Sequence, residues 1–302
     1  MVDLGYGLPS VCRLGLATRG NTHLRAEDVE HAVERGLNYL NWCGKPDGLS
    51  RAVAGLGAKR REVVVAVQFQ ARRPAAAERE FSRILKELRT DQLDIATLYY
   101  VESDEEWRQI TAVGGVWDVL QRFKREGVLR MIGLTSHQRK LAAGWAQQVV
   151  DSGGGDSGAG SPEAAIEAAA GPQAGPDGPR DHRLDMLMVR YNLAHRGAER
   201  EVFPIAVARR MPVVTFTGLR WRALLEPTPG DPEGFLPPLA ADCYRFCLSN
   251  PAVSVALTAP GDRTHLEETL HLLDDWRAPE TGEVEELRAY GDRVHRHASE
   301  FW

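Results

Sequence analysis

Lysine is scarce in this chain of 302 residues. Of 37 basic residues only five are lysines: Lys45, Lys59, Lys86, Lys124 and Lys140. Any lysine-dependent chemistry therefore has five candidates. Cysteine is sparse too. Cys12, Cys43, Cys243 and Cys247 are too few and too scattered for a disulfide framework or an iron–sulfur cluster, and they fit free thiols in a reducing cytoplasm. No apolar run approaches the roughly 18 residues of a membrane span. Met1–Ser10 lacks the basic and apolar segments of a secretory leader. A net charge of −5 offers no basic field for nucleic acid. His295 and His297 stand too close together and lack partners, so no metal site is expected. These absences predict a cytoplasmic protein that binds neither membrane nor nucleic acid. The sequence carries no mark of an oligomeric state.

What is present is a regular alternation. Eight short apolar runs recur: Val11–Ala17, Leu37–Trp42, Val63–Phe69, Leu93–Val101, Val128–Thr135, Leu184–Tyr191, Met211–Leu219 and Ala252–Ala259. Each reads as a strand buried on both faces. Helical periods fill the gaps: Ala26–Arg35 after Asn21 and Thr22 as cap residues, then Leu49–Leu56, Ala75–Leu88, Asp104–Arg125, Arg139–Val150, Glu199–Arg209, Leu239–Ser249 and Thr264–Leu273. Gly36, Gly57 and Gly127 supply helix stops. Eight strands alternating with helices predict an α/β fold, a single-domain (β/α)8 barrel over residues 1–302. The alternative is an open doubly wound sheet. It needs a GxGxxG fingerprint after its first strand, and none is there.

Residues 151–183 fit neither element. This Gly/Ala/Pro/Ser-rich stretch cannot bury enough apolar area to offset its ordering entropy. It reads as a flexible insertion between the fifth helix and the sixth strand, on the face of the barrel away from the reacting groups. Beyond the eighth unit, Gly282–His297 reads as an extra helix, followed by Phe301 and Trp302.

In a barrel the reacting groups lie at the C-terminal strand ends. Those positions hold Thr18 and Arg19; Asn41, Trp42, Cys43, Lys45 and Asp47; Gln68 and Gln70; Tyr99 and Tyr100; Thr135, Ser136 and His137; Arg190, Tyr191 and Asn192; Phe216, Thr217, Arg220 and Trp221; and Gly261, Asp262 and Arg263. Arginine, aromatics and amides dominate, which suits an anionic, aromatic-bearing ligand such as a nucleotide. The last loop, Ala259–Thr264, leads into a helix. Its free N–H groups and the Arg263 fork make an anion site, unless Asp262 or Thr264 caps that helix instead.

These segments resemble the aldo/keto reductases. Val11–Ala17 resembles the family's opening strand, and Gly36–Asn41 its Gly-Ile-Asn-Phe-Phe-Asp run. Leu88–Asp94 is similar to its Leu-x-x-Asp-Tyr-x-Asp segment. Gly127–Ser136 resembles Gly-Lys-x-Arg-x-Ile-Gly-Val-Ser-Asn, and Tyr191-Asn192 the Tyr-Asn after strand six. The resemblance spans nearly the whole chain outside 151–183. It implies a barrel that reduces small-molecule carbonyls with NADP(H).

It also exposes departures. The family's Asp-Tyr-Lys-His tetrad falls on Asn41, the neighbourhood of Pro46 and Lys45, Gln68 and Tyr99. The glutamine under the nicotinamide falls on Met188. The cofactor positions are better kept. Thr135 and Ser136 stand where the family holds the carboxamide, Phe216 where an aromatic stacks, and Thr217 and Leu219 in the pyrophosphate loop. Gly261, Arg263, Glu268 and Thr269 stand at the adenosine-phosphate end. With the lysine position neutral, the proton donor expected is Tyr99, with Lys45 or Arg190 supplying the missing charge. Three readings follow: an oxidoreductase with a rebuilt proton donor, a nucleotide-binding protein without turnover, or a barrel turned to non-redox chemistry.

Overall fold

The computed structural model of the chain describes residues 1–18, 22–147 and 181–297. Most of the 151–183 insertion lies outside them, as do Arg19, Asn21, Phe301 and Trp302. Its last residues lie inside and are packed. The Asp181 carbonyl accepts a hydrogen bond from Trp117 Nε1 at 2.8 Å, and His182 stands edge-on to the same ring. The barrel therefore resumes by residue 181, not after 183.

All eight apolar runs form strands, each shorter than its run except β5, which equals its run in length and ends one residue later. They are β1 Leu14–Ala17, β2 Tyr39–Trp42, β3 Val64–Phe69, β4 Leu93–Leu98, β5 Leu129–Ser136, β6 Met186–Arg190, β7 Val213–Phe216 and β8 Val255–Thr258. Every neighbouring pair is parallel, and β1 pairs with both β2 and β8, so the sheet closes. The helices are α1 Ala26–Glu34, α2 Gly48–Gly55, α3 Pro74–Leu88, α4 Asp104–Thr111, α5 Val116–Arg125, α6 Arg139–Gln147, α7 Ala198–Glu201, α8 Phe203–Ala208, α9 Ala240–Ser249, α10 Arg263–Asp274 and α11 Thr281–Arg296. The fold is the expected (β/α)8 barrel. No helix among the described residues is long and apolar enough to cross a membrane.

Two expected helices are broken. Asp104–Arg125 divides at Ala112–Gly115, where Gly114 takes a φ of +71° that a helix cannot hold. Glu199–Arg209 divides at Val202; Pro204, which has no N–H to donate, sits in the first turn of α8. The cap of α1 also differs from expectation. Arg25 is its N-cap, and the Asp28 carboxylate accepts the Arg25 N–H at 2.9 Å.

Strand alternation sorts the core into two shells. Val65, Val67 and Phe69 face the helices, while Val64 and Ala66 face the barrel axis with Tyr39, Ile95, Met131, Met186, Val214 and Val255. Leu4 and Val11 join the inner shell from the N-terminal end, where Val2 bridges Val11. Small residues make room for large ones on the axis. A Cβ on Gly15 would lie 3.0 Å from Tyr39 Cδ1, and one on Gly133 would lie 2.9 Å from Met186 Cε. At the same end two carboxylates tie strands together. Asp94 accepts from Val65 N and Arg60 Nη2, each at 2.8 Å. Asp185 accepts from Ile132 N at 2.7 Å and pairs with Lys124. One of the five lysines is thus structural.

Candidate active site

The inner faces of the strands carry the site because alternation continues to their C-terminal ends. Two residues beyond Tyr39 stands Asn41. Two beyond Ala66 stands Gln68, and two beyond Met186 stands Met188. Together with Thr18, Tyr99, Tyr100, Thr135 and Phe216 they line a cavity of about 260 Å³ at the barrel mouth. Its far end runs under the loop after β7, past Thr217 and Leu219, to Gly261, Glu268 and Thr269. Eleven of the fifteen expected site residues meet here: Asn41, Gln68, Tyr99, Thr135, Met188, Phe216, Thr217, Leu219, Gly261, Glu268 and Thr269.

The floor is neutral. The lining includes no lysine and no aspartate among the described residues. Asn41 and Thr135 are each 1% exposed, yet Asn41 Oδ1 and Thr135 Oγ1 find no hydrogen-bond partner within the protein; neither does Thr18 Oγ1. Buried polar atoms are nearly always satisfied. These three, at the wall of a cavity, are placed to be satisfied by what enters it.

The wall beside Tyr99 is aromatic. The Tyr99 and Tyr100 rings are 4.0 Å apart, and Tyr100 lies 4.3 Å from His137 and 6.4 Å from Phe216. Tyr100 reaches this place with a φ of +48°, a left-handed conformation unusual for a bulky residue. Such strain persists only where packing holds it. Here the Tyr99 N–H donates to Phe69 O at 2.9 Å and the Tyr99 carbonyl accepts from Arg72 Nη2. His137 is held from behind by Glu102, which accepts its backbone N–H at 2.9 Å.

Four expected residues stand apart from the lining. Lys45 is exposed, and only its backbone carbonyl is engaged, by Trp42 Nε1 at 2.8 Å. Ser136 is buried and turns its Oγ to the Gln138 N–H at 2.9 Å. Arg190 is 6% exposed at the end of β6, on the same inward side as Met188, with its guanidinium 5.9 Å from the Trp221 ring. Burial lowers the Arg190 pKa from its ordinary value, with nearby Arg139 and Arg220 adding to the shift and Tyr100 opposing it. Arg263 points outward. Its Nε lies 2.6 Å from Glu267 Oε1 and its Nη1 3.2 Å from Asp28 Oδ1.

Of the two readings offered for the start of α10, the structure shows the cap. Asp262 caps that helix, accepting the His265 N–H at 3.0 Å. A carboxylate already sits where an anion was expected. Two residues missed in the sequence, Arg222 and His265, line this end of the cavity, and Tyr244 reaches it from α9. Tyr244 lies on a helix before β8 and carries no local signal. Arg222 follows the strand-end segment by only a few residues, and its type was the available clue.

The comparisons agree with this geometry. The family model of the aldo/keto reductase family matches residues 4–145. The holo form of an aldo-keto reductase from Bacillus halodurans superimposes with a TM-score of 0.67 at 14% identity, covering 93% of this chain and 92% of that one. An aldo/keto reductase from Klebsiella pneumoniae, solved with NADP and acetate, gives 0.66 at 16% identity with the same coverage. A K. pneumoniae aldo-keto reductase in complex with NADPH gives 0.64 at 18% identity, again over 93% and 92%. No curated protein matches the chain. The family model thus matches the first five strands, and the closed barrel as a whole is the fold of these solved aldo-keto reductases.

Proposed function

We propose that this barrel is an NADP(H)-dependent oxidoreductase acting on a small carbonyl or alcohol, with a proton donor other than the family's. One observation carries the reading: a single cavity collects the positions that the resemblance assigns to cofactor and to chemistry. The residues fit the cofactor. The unpartnered Thr135 Oγ1 is placed for a carboxamide, Phe216 for a stacked ring, and Thr217 and Leu219 for the pyrophosphate loop. The bound cofactor supplies or accepts the hydride. The chain's own residues orient the carbonyl and deliver the proton.

Tyr99 is the proposed donor. Its ring lines the cavity where the family places its histidine, beside the neutral Asn41 and Gln68. A phenol of ordinary pKa near 10 needs a cation to stabilise its anion. Both candidate cations stand outside the lining, but Lys45 is exposed whereas Arg190 is buried at the end of β6, so Arg190 is the proposed cation. Titration of the protein with NADPH, followed by fluorescence, tests the cofactor half. Tyr99→Phe is expected to lower kcat/KM for an aldehyde by about 100-fold or more while NADPH affinity holds. Full turnover in this variant overturns the assignment of the donor.

The neutral floor favours one other reading, a nucleotide-binding protein without turnover. NADPH that binds tightly and is never oxidised across a broad aldehyde panel selects it. Absence of nicotinamide binding rejects both in favour of non-redox chemistry.

A further inference from the structure

The adenosine end of the cavity poses a problem of charge. Both features that the sequence offers for a phosphate are engaged inside the protein. Arg263 is committed to Glu267 and Asp28. The N-terminus of α10 is occupied by the Asp262 carboxylate. Two carboxylates, Asp262 and Glu268, stand close to where a phosphate would lie. Unless a cation faces them, a phosphate here meets like charge in a partly desolvated groove.

One side chain answers this. Among the described residues that line the cavity, Arg222 is the sole lysine or arginine. It lies within electrostatic reach of Asp262, and His265 lines the same end, with Nδ1 3.0 Å from Asp262 Oδ1. The backbone around it is unusual. Arg220, Trp221 and Arg222 have φ values of +48°, +51° and +72°, three consecutive left-handed non-glycine residues. Left-handed backbone is strained at such side chains, and strain of this kind persists at ligand clamps and switches. This turn brings Trp221 and Arg222 together onto the rim of the cavity.

We propose that Arg222 is the phosphate anchor of this cavity, in the role that the sequence assigns to Arg263. The inference rests on the reading that a phosphorylated nicotinamide dinucleotide occupies the cavity. A guanidinium on the rim meets a phosphate through charge-assisted, bidentate hydrogen bonds. His265 stands beside it as a second donor. Asp262, already turned to the helix N–H groups, is kept from the ligand by its cap bonds.

Binding of NADPH and of NADH, measured by fluorescence titration, tests this on the wild type, Arg222→Gln and Arg263→Gln. Arg222→Gln is expected to weaken NADPH binding tenfold or more and to flatten its dependence on salt. Arg263→Gln is expected to change it less than threefold. An effect on NADPH alone assigns the anchor to the 2′-phosphate, whereas equal effects on both cofactors assign it to the pyrophosphate. Unchanged affinity in Arg222→Gln, or a larger loss in Arg263→Gln, overturns the inference and leaves the functional reading standing. A wild type that binds neither cofactor removes both.

Discussion

His195 shows how the crowding of guanidiniums at the barrel mouth alters a single side chain. Burial pushes its pKa down to about 4, and Arg190 and Arg220 nearby push in the same direction. A free imidazole titrates near 6.5. Above that pH the ring is neutral in both the folded and the unfolded chain. Between about 6.5 and 4 the unfolded chain takes up a proton that the folded one refuses, so acid erodes stability across that window. Melting temperatures measured from pH 7 to pH 4 are expected to fall less steeply in His195→Asn than in the wild type. Parallel slopes would remove this account. The same scale explains the lysines. Lys124 serves Asp185 at the far end of the barrel and Lys45 faces solvent, so the barrel mouth holds arginine as its cation. Arginine stays charged under burial that would neutralise a lysine.

At the scale of elements, the final helix is fixed by close approach rather than by a broad apolar stripe. A Cβ on Gly291 would lie 2.1 Å from Leu193 O, in the loop that follows β6. The neighbouring Tyr290 is buried and donates to Glu226 O at 2.7 Å. Gly→Ala inside an exposed helix ordinarily stabilises by about 1 kcal/mol. Here the sign is expected to reverse, because the new methyl group must lift α11 off the loop. Gly291→Ala should lose about 1–3 kcal/mol in denaturant unfolding, and a gain would show that the helix can shift freely. Element boundaries were less legible than element identity. The apolar period runs through 104–125 as if it were one helix, and Gly114 breaks it. The eight strands are legible because each lies in a short apolar run with two buried faces. Their ends were overextended because the same apolar residues continue into the packed loops.

For the whole molecule, closure of the sheet turns the inner faces of all eight strands toward one axis. Residues as distant as Thr18 and Thr269 thereby share a cavity. A ligand that bridges the mouth, from β5 to the loop after β8, ties these strand ends together only in the folded chain. Saturation with NADPH should therefore raise the melting temperature. At 100 times Kd the added stability is about 2.7 kcal/mol, several degrees for a chain of this size, and calorimetry with and without cofactor reads it. No shift at saturating NADPH would contradict occupancy of the cavity.

Local pattern alone specifies the barrel. Strand period, helix period and glycine stops act over a few residues, and eight repetitions leave one closed arrangement. It also marked most of the cavity, because alternation within a strand dictates which side chains face the axis. Long-range packing settles which charges face the cavity. Arg263 is turned away by Asp28, 235 residues distant in the chain. Arg222 is turned inward by a strained loop. Ion pairs between remote segments and left-handed turns held by packing leave no periodic trace in a sequence. Both arise from the folded barrel, where distant helices stand side by side.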